Sequence, residues 1–438
     1  MSTSRELLPT KERIMDNLSY SAAFLSGCVS IGSFTMGPSL IGVLNLTQAI
    51  LAMIIGCTVI AVALVLVGEV GHKHGIPFAI QARSVFGIKG MVVPSLLRGI
   101  PAIMWFGFQS WVGAEALNMS FKILFGFDNL PIIFILFIVL QIILAMNGFK
   151  GIKWLENIAV FFILGALFYM FYTVYKKYGV EVATTITSIE GSWGLPFWGG
   201  TTAFLGLYST MIVNVSDYSR ELKKETKQLV TGSLYWISIL PVTLFMGLIG
   251  LMVSGVTGNS DPVGGLSTTI GNPLLTIITL IFVAFSQITN NVMNNIIPPA
   301  YVLMNIFNFS FRESTILVGI LSVCTFPWLL ARPESARGLS LFVQMYSAFL
   351  GPIFAVLITD YFILRKKKLN LNHYYDIDGP FKGINWAGII AILVGSITSL
   401  FFIEISWYVS LIPSSIIYYF LAKNMEKAKA FKTGTIFE

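Results

Sequence analysis

Charge is scarce in this sequence. Of its 438 residues only 11% are Asp, Glu, Lys or Arg, whereas 55% are hydrophobic. Soluble domains carry about 25% charged residues, so this composition excludes an ordinary soluble protein and predicts a chain embedded in lipid. Cysteine and histidine are also rare, with three of each. The cysteines are scattered within apolar runs without CxxC spacing, which indicates neither a metal site nor a disulfide framework.

Motifs of catalysis are missing too. The sequence has no Walker loop, no HExxH and no Ser/His/Asp set within its apolar runs, so we expect no enzyme. Its net charge of +7 falls in short hydrophilic gaps between those runs. That placement is typical of membrane topology and does not indicate nucleic-acid binding. The polar N-terminal segment lacks the apolar core and cleavage site of a signal peptide.

Long apolar runs, by contrast, are abundant. A helix that crosses a bilayer needs about 20 mainly apolar residues, and this rule predicts twelve spans. They lie near 19–44, 47–70, 92–119, 130–148, 155–175, 197–215, 231–255, 271–304, 313–331, 338–363, 385–403 and 406–422. Lys and Arg concentrate in alternate gaps between the spans. The positive-inside rule therefore predicts a multi-pass protein of the plasma (inner) membrane with both termini in the cytoplasm.

Two of these spans carry the composition of interrupted helices. Small residues and prolines cluster in them: Gly27, Ser30, Gly32, Ser33, Gly37 and Pro38 in the first, and Gly191, Gly194, Pro196, Gly199, Gly200 and Gly206 in the sixth. Gly and Pro free backbone groups that lipid cannot satisfy, so a broken helix must line a cavity inside the protein. Close helix packing through small residues is the alternative. The matching places of the two spans in two five-span halves favour an inverted-repeat transporter with its site near the midplane.

Residue spacing in the third and eighth spans suggests what such a site binds. Trp105 and Gln109 are four residues apart, as are Asn290 and Asn294, and such pairs share one face of a helix. Amides rarely face lipid. An aromatic plate with three amides suits a flat, neutral heterocycle that carries ring N–H and C=O groups.

Five segments, in order from Gln81 to Trp386, resemble one known family. They are Gln81–Gly90 with Pro94–Arg98, Trp105–Gln109 with Trp111 and Gly113, Asn214–Arg220, Thr289–Asn294 with Pro298 and Pro299, and Gly351–Arg365 with Leu369, Asn370, Tyr375, Asn385 and Trp386. On these segments the chain resembles the first nucleobase:cation symporter family, which includes cytosine, hydantoin and allantoin permeases.

The resemblance implies an all-α integral membrane protein of the leucine-transporter fold. Ten core spans would form two inverted five-span halves, followed by two C-terminal spans. The sequence then divides into a cytoplasmic segment 1–17, the transport core 18–365, a cytoplasmic loop 366–384, two accessory helices 385–422 and a cytoplasmic tail 423–438.

The resemblance also implies roles for single residues. Trp105 would stack on the substrate ring, and Gln109, Asn290 and Asn294 would hydrogen-bond it. Tyr208 stands where the hydantoin carrier has a second stacking Trp, so the ring face is kept and a hydroxyl is added. The remaining predicted substrate contacts are Gly32, Ser33 and Phe204, of which Phe204 also suits core packing.

A sodium site in this fold lies between the broken first span and the eighth. Thr289 fills one hydroxyl position there, and Ser30 and Ser33 could supply carbonyls. Ile288, however, stands where the hydantoin carrier has Ser. A hard cation needs several oxygen ligands, so H+ competes with Na+ as the coupling ion, and Glu115 is a candidate acid for it.

These observations together predict a secondary active importer of a neutral nucleobase or related heterocycle, such as cytosine, another purine or pyrimidine, allantoin or a hydantoin. Inward cation flow would drive it by alternating access, and we expect a monomer in the bilayer with no nucleic-acid partner. The alternatives are a proton-coupled or facilitative carrier and a membrane sensor that binds the compound without moving it. Asp217 and Arg220, at the end of the sixth span, are predicted to form a cytoplasmic gate.

Overall fold

The computed structural model describes residues 7–259, 261–331 and 336–438, so the first six residues of the predicted N-terminal segment lie outside it. Every regular element among the described residues is helical, and one isolated bridge pairs Met15 with Leu222. Helices dominate because a backbone surrounded by lipid must satisfy its own N–H and C=O groups.

The first half of the chain contains spans one to five. Its helices are α1 (Asn17–Cys28), α2 (Ile31–Met36), α3 (Leu46–His74), α4 (Phe78–Gln81), α5 (Arg83–Phe86), α6 (Val92–Phe125), α7 (Leu130–Ala145) and α8 (Gly148–Glu181). Local sequence sets the ends of α3. A capping box between Asn45 and Gln48 starts the helix, and Gly75, with φ of 74°, ends it.

The second half contains spans six to twelve. Its helices are α9 (Leu195–Val213), α10 (Ser216–Ser219), α11 (Gln228–Thr257), α12 (Pro262–Ile270), α13 (Pro273–Asn290), α14 (Ile297–Phe307), α15 (Phe311–Cys324), α16 (Pro327–Leu330), α17 (Ala336–Ile358), α18 (Leu371–Tyr375), α19 (Trp386–Phe401) and α20 (Ser406–Asn424). Short π-helical segments follow α8, α13 and α17 at Val182–Ile186, Asn291–Ile296 and Thr359–Leu364.

Five helical stretches of the described chain are long and apolar enough to cross a membrane on their own. They are Leu46–His74, Gln228–Thr257, Pro273–Phe307, Gly338–Leu364 and Ile403–Asn424. The remaining predicted spans coincide with helices that are broken, shorter or more polar. Helix α12, which precedes the eighth span, was not predicted.

The first span breaks where the sequence predicts. Helix α1 stops at Cys28, and α2 begins at Ile31 after the extended residue Ser30, whose hydroxyl accepts the N–H of Gly32 and caps α2. The last carbonyls of α1 lose their helical partners at this point. Side chains of other spans replace those partners, as described below for the site.

The sixth span does not break at its glycines, which corrects the sequence prediction. Helix α9 runs without interruption through Gly199, Gly200 and Gly206, and the chain leaves it only at Asn214. Gly206 serves packing instead, because a Cβ there would lie 2.5 Å from Cγ1 of Val343. The alternative of close helix packing therefore holds for Gly200 and Gly206.

The eighth span changes its helical form close to its two prolines. Pro298 and Pro299 have no N–H to donate, and the helix widens into a π-helical segment, Asn291–Ile296, just before them. This widening turns consecutive amide side chains towards different neighbours, and it lies at the level of the candidate site.

The first and last described residues lie at the same end of the molecule. Met15 pairs with the segment after α10, where its N–H donates to the Glu221 carbonyl at 2.9 Å. Near the other terminus, the Ile436 N–H donates to the Leu364 carbonyl at 2.8 Å. Tyr375, in the loop between spans ten and eleven, donates to the Leu7 carbonyl at 2.8 Å. This arrangement requires the even number of spans that the sequence predicts.

Candidate functional site

One face of α6 carries the aromatic ring and the amide that the spacing predicted to lie together. Trp105 and Gln109 are both buried and line one small cavity. The indole N–H of Trp105 donates to the Tyr346 hydroxyl at 3.1 Å, which fixes the ring from α17. The Gln109 amide donates to the Ser30 hydroxyl at 3.3 Å, so α6 is linked directly to the break in the first span.

The two amides of the eighth span meet at a single carbonyl oxygen. Asn290 and Asn294 both donate to the carbonyl of Gly27, the latter at 2.8 Å. That carbonyl belongs to the last turn of α1 and has lost its helical donor. The next carbonyl, of Cys28, accepts the Tyr208 hydroxyl at 3.3 Å. Side chains from spans six and eight therefore satisfy the broken end of the first span.

These groups enclose a cavity of about 30 Å³. Its walls are Gly27, Ser30, Trp105, Gln109, Leu207, Tyr208, Thr210, Met211, Asn290, Asn294 and Asn295. None of these residues is charged. A volume of this size holds one or two water molecules, whereas pockets that hold drug-sized ligands measure about 300–1,000 Å³. A heterocycle can therefore enter only when the surrounding spans move apart.

The other predicted substrate contacts, Gly32, Ser33 and Phe204, do not line the cavity. Gly32 is packed so closely against the Trp105 ring that a Cβ there would come within 2.9 Å of it. Ser33 is buried in the first turn of α2. Phe204 does not line the cavity and packs against Gly247 of α11. This placement supports the core-packing interpretation of Phe204 and not the predicted substrate contact.

The eighth span also carries a further cavity amide, Asn295, which the four-residue spacing of Asn290 and Asn294 does not include. Asn295 lines the cavity and donates to Asn291 at 2.9 Å and to Gln109 at 3.5 Å. Asn291 itself points away and bridges to Gln141 of α7 at 2.8 Å. The π-helical segment separates these roles, because it shifts the helical register that the four-residue spacing assumes.

A fully buried arginine lies beneath the cavity, and sequence reasoning missed it as part of the site. The Arg98 guanidinium donates to the Asn214 side chain and to the Asn294 carbonyl, each at 2.9 Å. The spacing of the sequence could have indicated this position. Arg98, Trp105 and Gln109 follow one another at intervals of seven and four residues, which places them on one face of α6. The resemblance included Arg98 only as part of a motif.

Of the two predicted gate residues, Asp217 takes part in this buried network. Asp217 accepts the Phe78 N–H at 2.8 Å and the Asn214 amide at 3.0 Å. Tyr218 donates to the Asn294 side chain at 3.2 Å. A continuous set of hydrogen bonds therefore joins the cavity amide Asn294, through Arg98 and Asn214, to Asp217.

Arg220 reaches a different set of partners. Its guanidinium donates to the Tyr301 hydroxyl at 3.1 Å and lies over the Tyr301 ring. It also lies 3.5 Å from the carboxylate of Glu221. Burial raises the pKa of the Glu221 carboxyl, and the positive charge of Arg220 opposes that rise. Arg220 thus ties the segment after α10 to the eighth span.

The predicted cation ligands are only partly available for a cation. The Thr289 hydroxyl is buried and donates to the Ser286 carbonyl of its own helix at 3.0 Å. The carbonyls of Ser30 and Ser33 accept the N–H groups of Ser33 and Gly37. Ile288 contributes no oxygen. Within the described residues no group of three or more His, Cys, Asp or Glu could hold a metal ion. A carbonyl or hydroxyl oxygen with one hydrogen bond keeps a lone pair, so a cation here would be held by hydroxyl and carbonyl oxygens and not by carboxylates.

The fold and this cavity define a class of protein. A small polar cavity among broken helices of an all-α membrane protein is the arrangement of a secondary transporter. A family model described as "Permease for cytosine/purines, uracil, thiamine, allantoin" matches residues 7–425. The chain belongs to this family of nucleobase–cation symporters, and its members are transporters and not enzymes.

Individual relatives agree with this assignment. The chain is 25% identical to the hydantoin permease of Microbacterium maritypicum, over 94% of this chain and 86% of the relative. It is 26% identical to the allantoin permease of Bacillus subtilis (strain 168), over 92% and 89%. A solved structure of Mhp1, a nucleobase–cation-symport-1 family transporter closed around bromovinylhydantoin, matches with a TM-score of 0.87 and 24% identity, over 98% of this chain and 99% of that one. The predicted leucine-transporter type of fold is confirmed.

Proposed function

We propose that this protein imports a neutral heterocycle of the nucleobase, allantoin or hydantoin class by alternating access, with the energy of an inward cation gradient. The observation that carries the proposal is the uncharged cavity in which Trp105, Tyr208 and four amides converge. Stacking on an aromatic ring contributes about 1–3 kcal/mol and tolerates different rings. The amides supply the selectivity, since each carries both a donor and an acceptor.

The hydrogen bonds inside the cavity support a specific requirement on the substrate. Asn290 and Asn294 are bonded to the Gly27 carbonyl, and Gln109 is bonded to Ser30. A bound ring must replace these bonds, because a buried amide left without a partner costs about 1–3 kcal/mol. A compound with adjacent ring N–H and C=O groups meets this requirement, and an analogue methylated on the ring nitrogen does not.

We propose that the coupling ion is a cation, either Na+ or H+, and a test of whether ligand binding depends on NaCl distinguishes the two. Sodium is favoured by the Thr289 hydroxyl beside the broken first span. A proton is favoured by Ile288, which removes one oxygen that a sodium site would use. The two proposals differ in a directly measurable way, since only the first makes ligand binding depend on NaCl.

Asn294→Ala is the variant that tests the substrate site. It removes a cavity amide and the acceptor of the Tyr218 hydroxyl, so we expect binding to weaken at least 100-fold. Thermal-shift measurements of the purified protein against nucleobases, hydantoins and allantoin, each in NaCl and in choline chloride, would provide the readout. Counterflow of labelled ligand in proteoliposomes then separates a carrier from a sensor, since only a carrier exchanges.

Gln141→Ala is the matched control, because this buried amide lies on α7 outside the cavity and bonds Asn291 and Ser110. It should lower the melting temperature while the ranking of ligands stays the same. Equal ligand affinity in wild type and Asn294→Ala would remove the eighth span from the substrate site. No stabilising ligand in the whole panel would contradict the proposed class of compound.

A further inference from the structure

A long crevice on the outer surface of the helices is separate from the substrate cavity. It lies between α3 and α11 and has a volume of about 740 Å³. Its walls are mainly aliphatic, and Val62, Leu229 and Ile237 expose more than half of their surface there. The crevice lies along two stretches that are long and apolar enough to cross a membrane. Its natural surroundings are therefore acyl chains.

The two helices approach closely along the crevice. A Cβ at Gly232 would lie 3.2 Å from Cγ2 of Val65, so a larger residue at position 232 would fill the space between the helices. At the apolar end, the Trp236 indole N–H donates to the Thr58 hydroxyl at 3.2 Å and connects the two walls. The crevice is therefore a slot that is bridged at its apolar end and open along its outer side.

The other end of the slot is basic. A second cavity, of about 240 Å³, continues it, since Val65 and Gln228 line both. Lys73 and Lys224 line this second cavity, and both are exposed. No ion pair holds Lys224 among the residues that the structure describes.

The single acid lining this end is already compensated. Glu69 accepts the Gln228 amide at 2.8 Å and pairs with Lys367 at 3.1 Å. His72 also lines the cavity, and its ring bonds the Lys223 carbonyl at 3.0 Å. The charge presented to an incoming group is therefore positive.

The length of the slot matches one leaflet of a bilayer. From Thr58 to Lys73, α3 advances 15 residues, which is about 22 Å at 1.5 Å per residue. Half of a bilayer that includes its headgroup regions is also about 20–22 Å thick. An apolar slot that reaches a pair of lysines at the level of the headgroups complements a lipid, whereas a peptide or a soluble anion would use only part of it.

We propose that the slot between α3 and α11 binds an anionic phospholipid from the leaflet on the lysine-rich side, with one acyl chain between Thr58 and Gly232 and the phosphate at Lys73 and Lys224. Basic pockets between membrane helices are known to hold such headgroups. The proposal concerns a second ligand and does not depend on the identity of the transported compound.

The position of the headgroup links this site to the transport core. The Lys73 ammonium donates to the Lys367 carbonyl at 3.1 Å, and Glu69 pairs with the Lys367 side chain. Lys367 follows the π-helical end of the tenth span, so these bonds join the second span to the tenth. A phosphate on Lys73 competes with the bond to the Lys367 carbonyl, and the lipid is therefore expected to change the transport rate as well as the stability.

The test uses the full chain in neutral detergent, with no transported substrate. Phosphatidylglycerol, phosphatidylcholine or inorganic phosphate is added, and retained lipid is counted by native mass spectrometry beside the melting temperature. We expect phosphatidylglycerol to be retained and to raise the melting temperature above that with phosphatidylcholine, and inorganic phosphate to do neither. Lys73→Gln with Lys224→Gln should weaken retention about 30-fold, because each lysine near an anionic headgroup contributes about a factor of five.

Two further variants keep the result interpretable. Gly232→Leu fills the apolar slot without changing charge and should also abolish retention, while Lys427→Gln with Lys429→Gln removes two exposed lysines of the C-terminal tail and should leave it unchanged. Retention that survives both slot variants would overturn the proposal, as would equal retention of phosphatidylcholine. Stabilisation by inorganic phosphate alone would reduce the site to an anion site and would also overturn it.

Discussion

The first and sixth spans hold corresponding places in the two halves of the fold, yet they break in different ways. The first stops at Cys28 and resumes at Ile31 in mid-span. The sixth continues through its glycines and is interrupted only at Asn214, close to its end. Both spans are rich in glycine, so glycine content does not decide where a helix breaks.

What decides the break is the supply of partners for freed backbone groups. At the first span the carbonyls of Gly27 and Cys28 accept side chains from three residues of other spans. At the sixth span the Asp217 N–H donates to the Asn214 carbonyl at 2.9 Å, and the Asn214 side chain bonds Arg98 and Asp217. A break inside a membrane is stable only where such donors exist.

Removal of Arg98 should have the largest effect, because Arg98 bonds Asn214 at the interruption of the sixth span. Arg98→Ala takes a charged donor from the Asn214 side chain and from the Asn294 carbonyl, and it leaves Arg220 as the remaining cation near the buried Asp217. Loss of one member of a buried charged network costs about 3–5 kcal/mol. We expect a melting temperature lower by several degrees and no measurable uptake.

The control for this variant is Arg98→Lys, which keeps the charge but not the two-pronged geometry. It should recover stability in part and transport little. Wild-type uptake by Arg98→Ala would show that the interruption at Asn214 is independent of this network.

An added methyl group on the sixth span should have the next largest effect. The Cβ of Gly206→Ala would meet Val343 at 2.5 Å and Ser347 at 2.7 Å, both on α17. Overpacking of this kind costs about 1–3 kcal/mol, and the β-branched Val343 cannot turn aside easily. Chemical unfolding in detergent would measure the loss. The double variant Gly206→Ala with Val343→Ala should restore most of it, and a failure to do so would mean that the glycine serves something other than packing.

Removal of the Ser30 hydroxyl, which caps α2 at the break of the first span, should lower stability by a smaller amount. Ser30→Ala removes the acceptor for the Gly32 N–H and the partner of the Gln109 amide. Loss of a helix cap costs about 1 kcal/mol. The affinity for substrate should fall in parallel, since Gln109 loses its orientation. Ser30→Thr retains a hydroxyl at the cap and should behave close to wild type.

Much of this architecture follows from the sequence because lipid imposes simple rules. The length of the apolar runs predicts the spans. The four-residue spacing predicts that Trp105 lies beside Gln109 and Asn290 beside Asn294, and all four line the cavity. The same reasoning did not predict the positions of Asn295 and Phe204 relative to the cavity. A π-helical segment shifts Asn295 into the cavity, and the identity of the neighbours of Phe204 depends on how α9 packs against α11.

Arg98 shows a different limit of sequence reasoning. A lone arginine in an apolar run is compatible with a loop boundary, a snorkelling side chain or a buried ligand. Its position on the Trp105 face favours the last of these. Only the three-dimensional arrangement, however, brings Asn214 and the Asn294 carbonyl to its two ends.

The smallest expected effect is the sharpest test of how the two spans differ. Gly199 was predicted to interrupt the sixth span, but it lies inside α9, and the nearest atom to an added Cβ would be Cβ of Glu404 at 3.7 Å. Gly199→Ala should therefore fit without strain and stabilise the helix by about 0.5–1 kcal/mol. Unfolding in detergent measures this gain, and uptake should remain at the wild-type level. A stabilised protein with slowed transport would mean that the sixth span does open at Gly199 in another state of the cycle, and the two halves would then break alike.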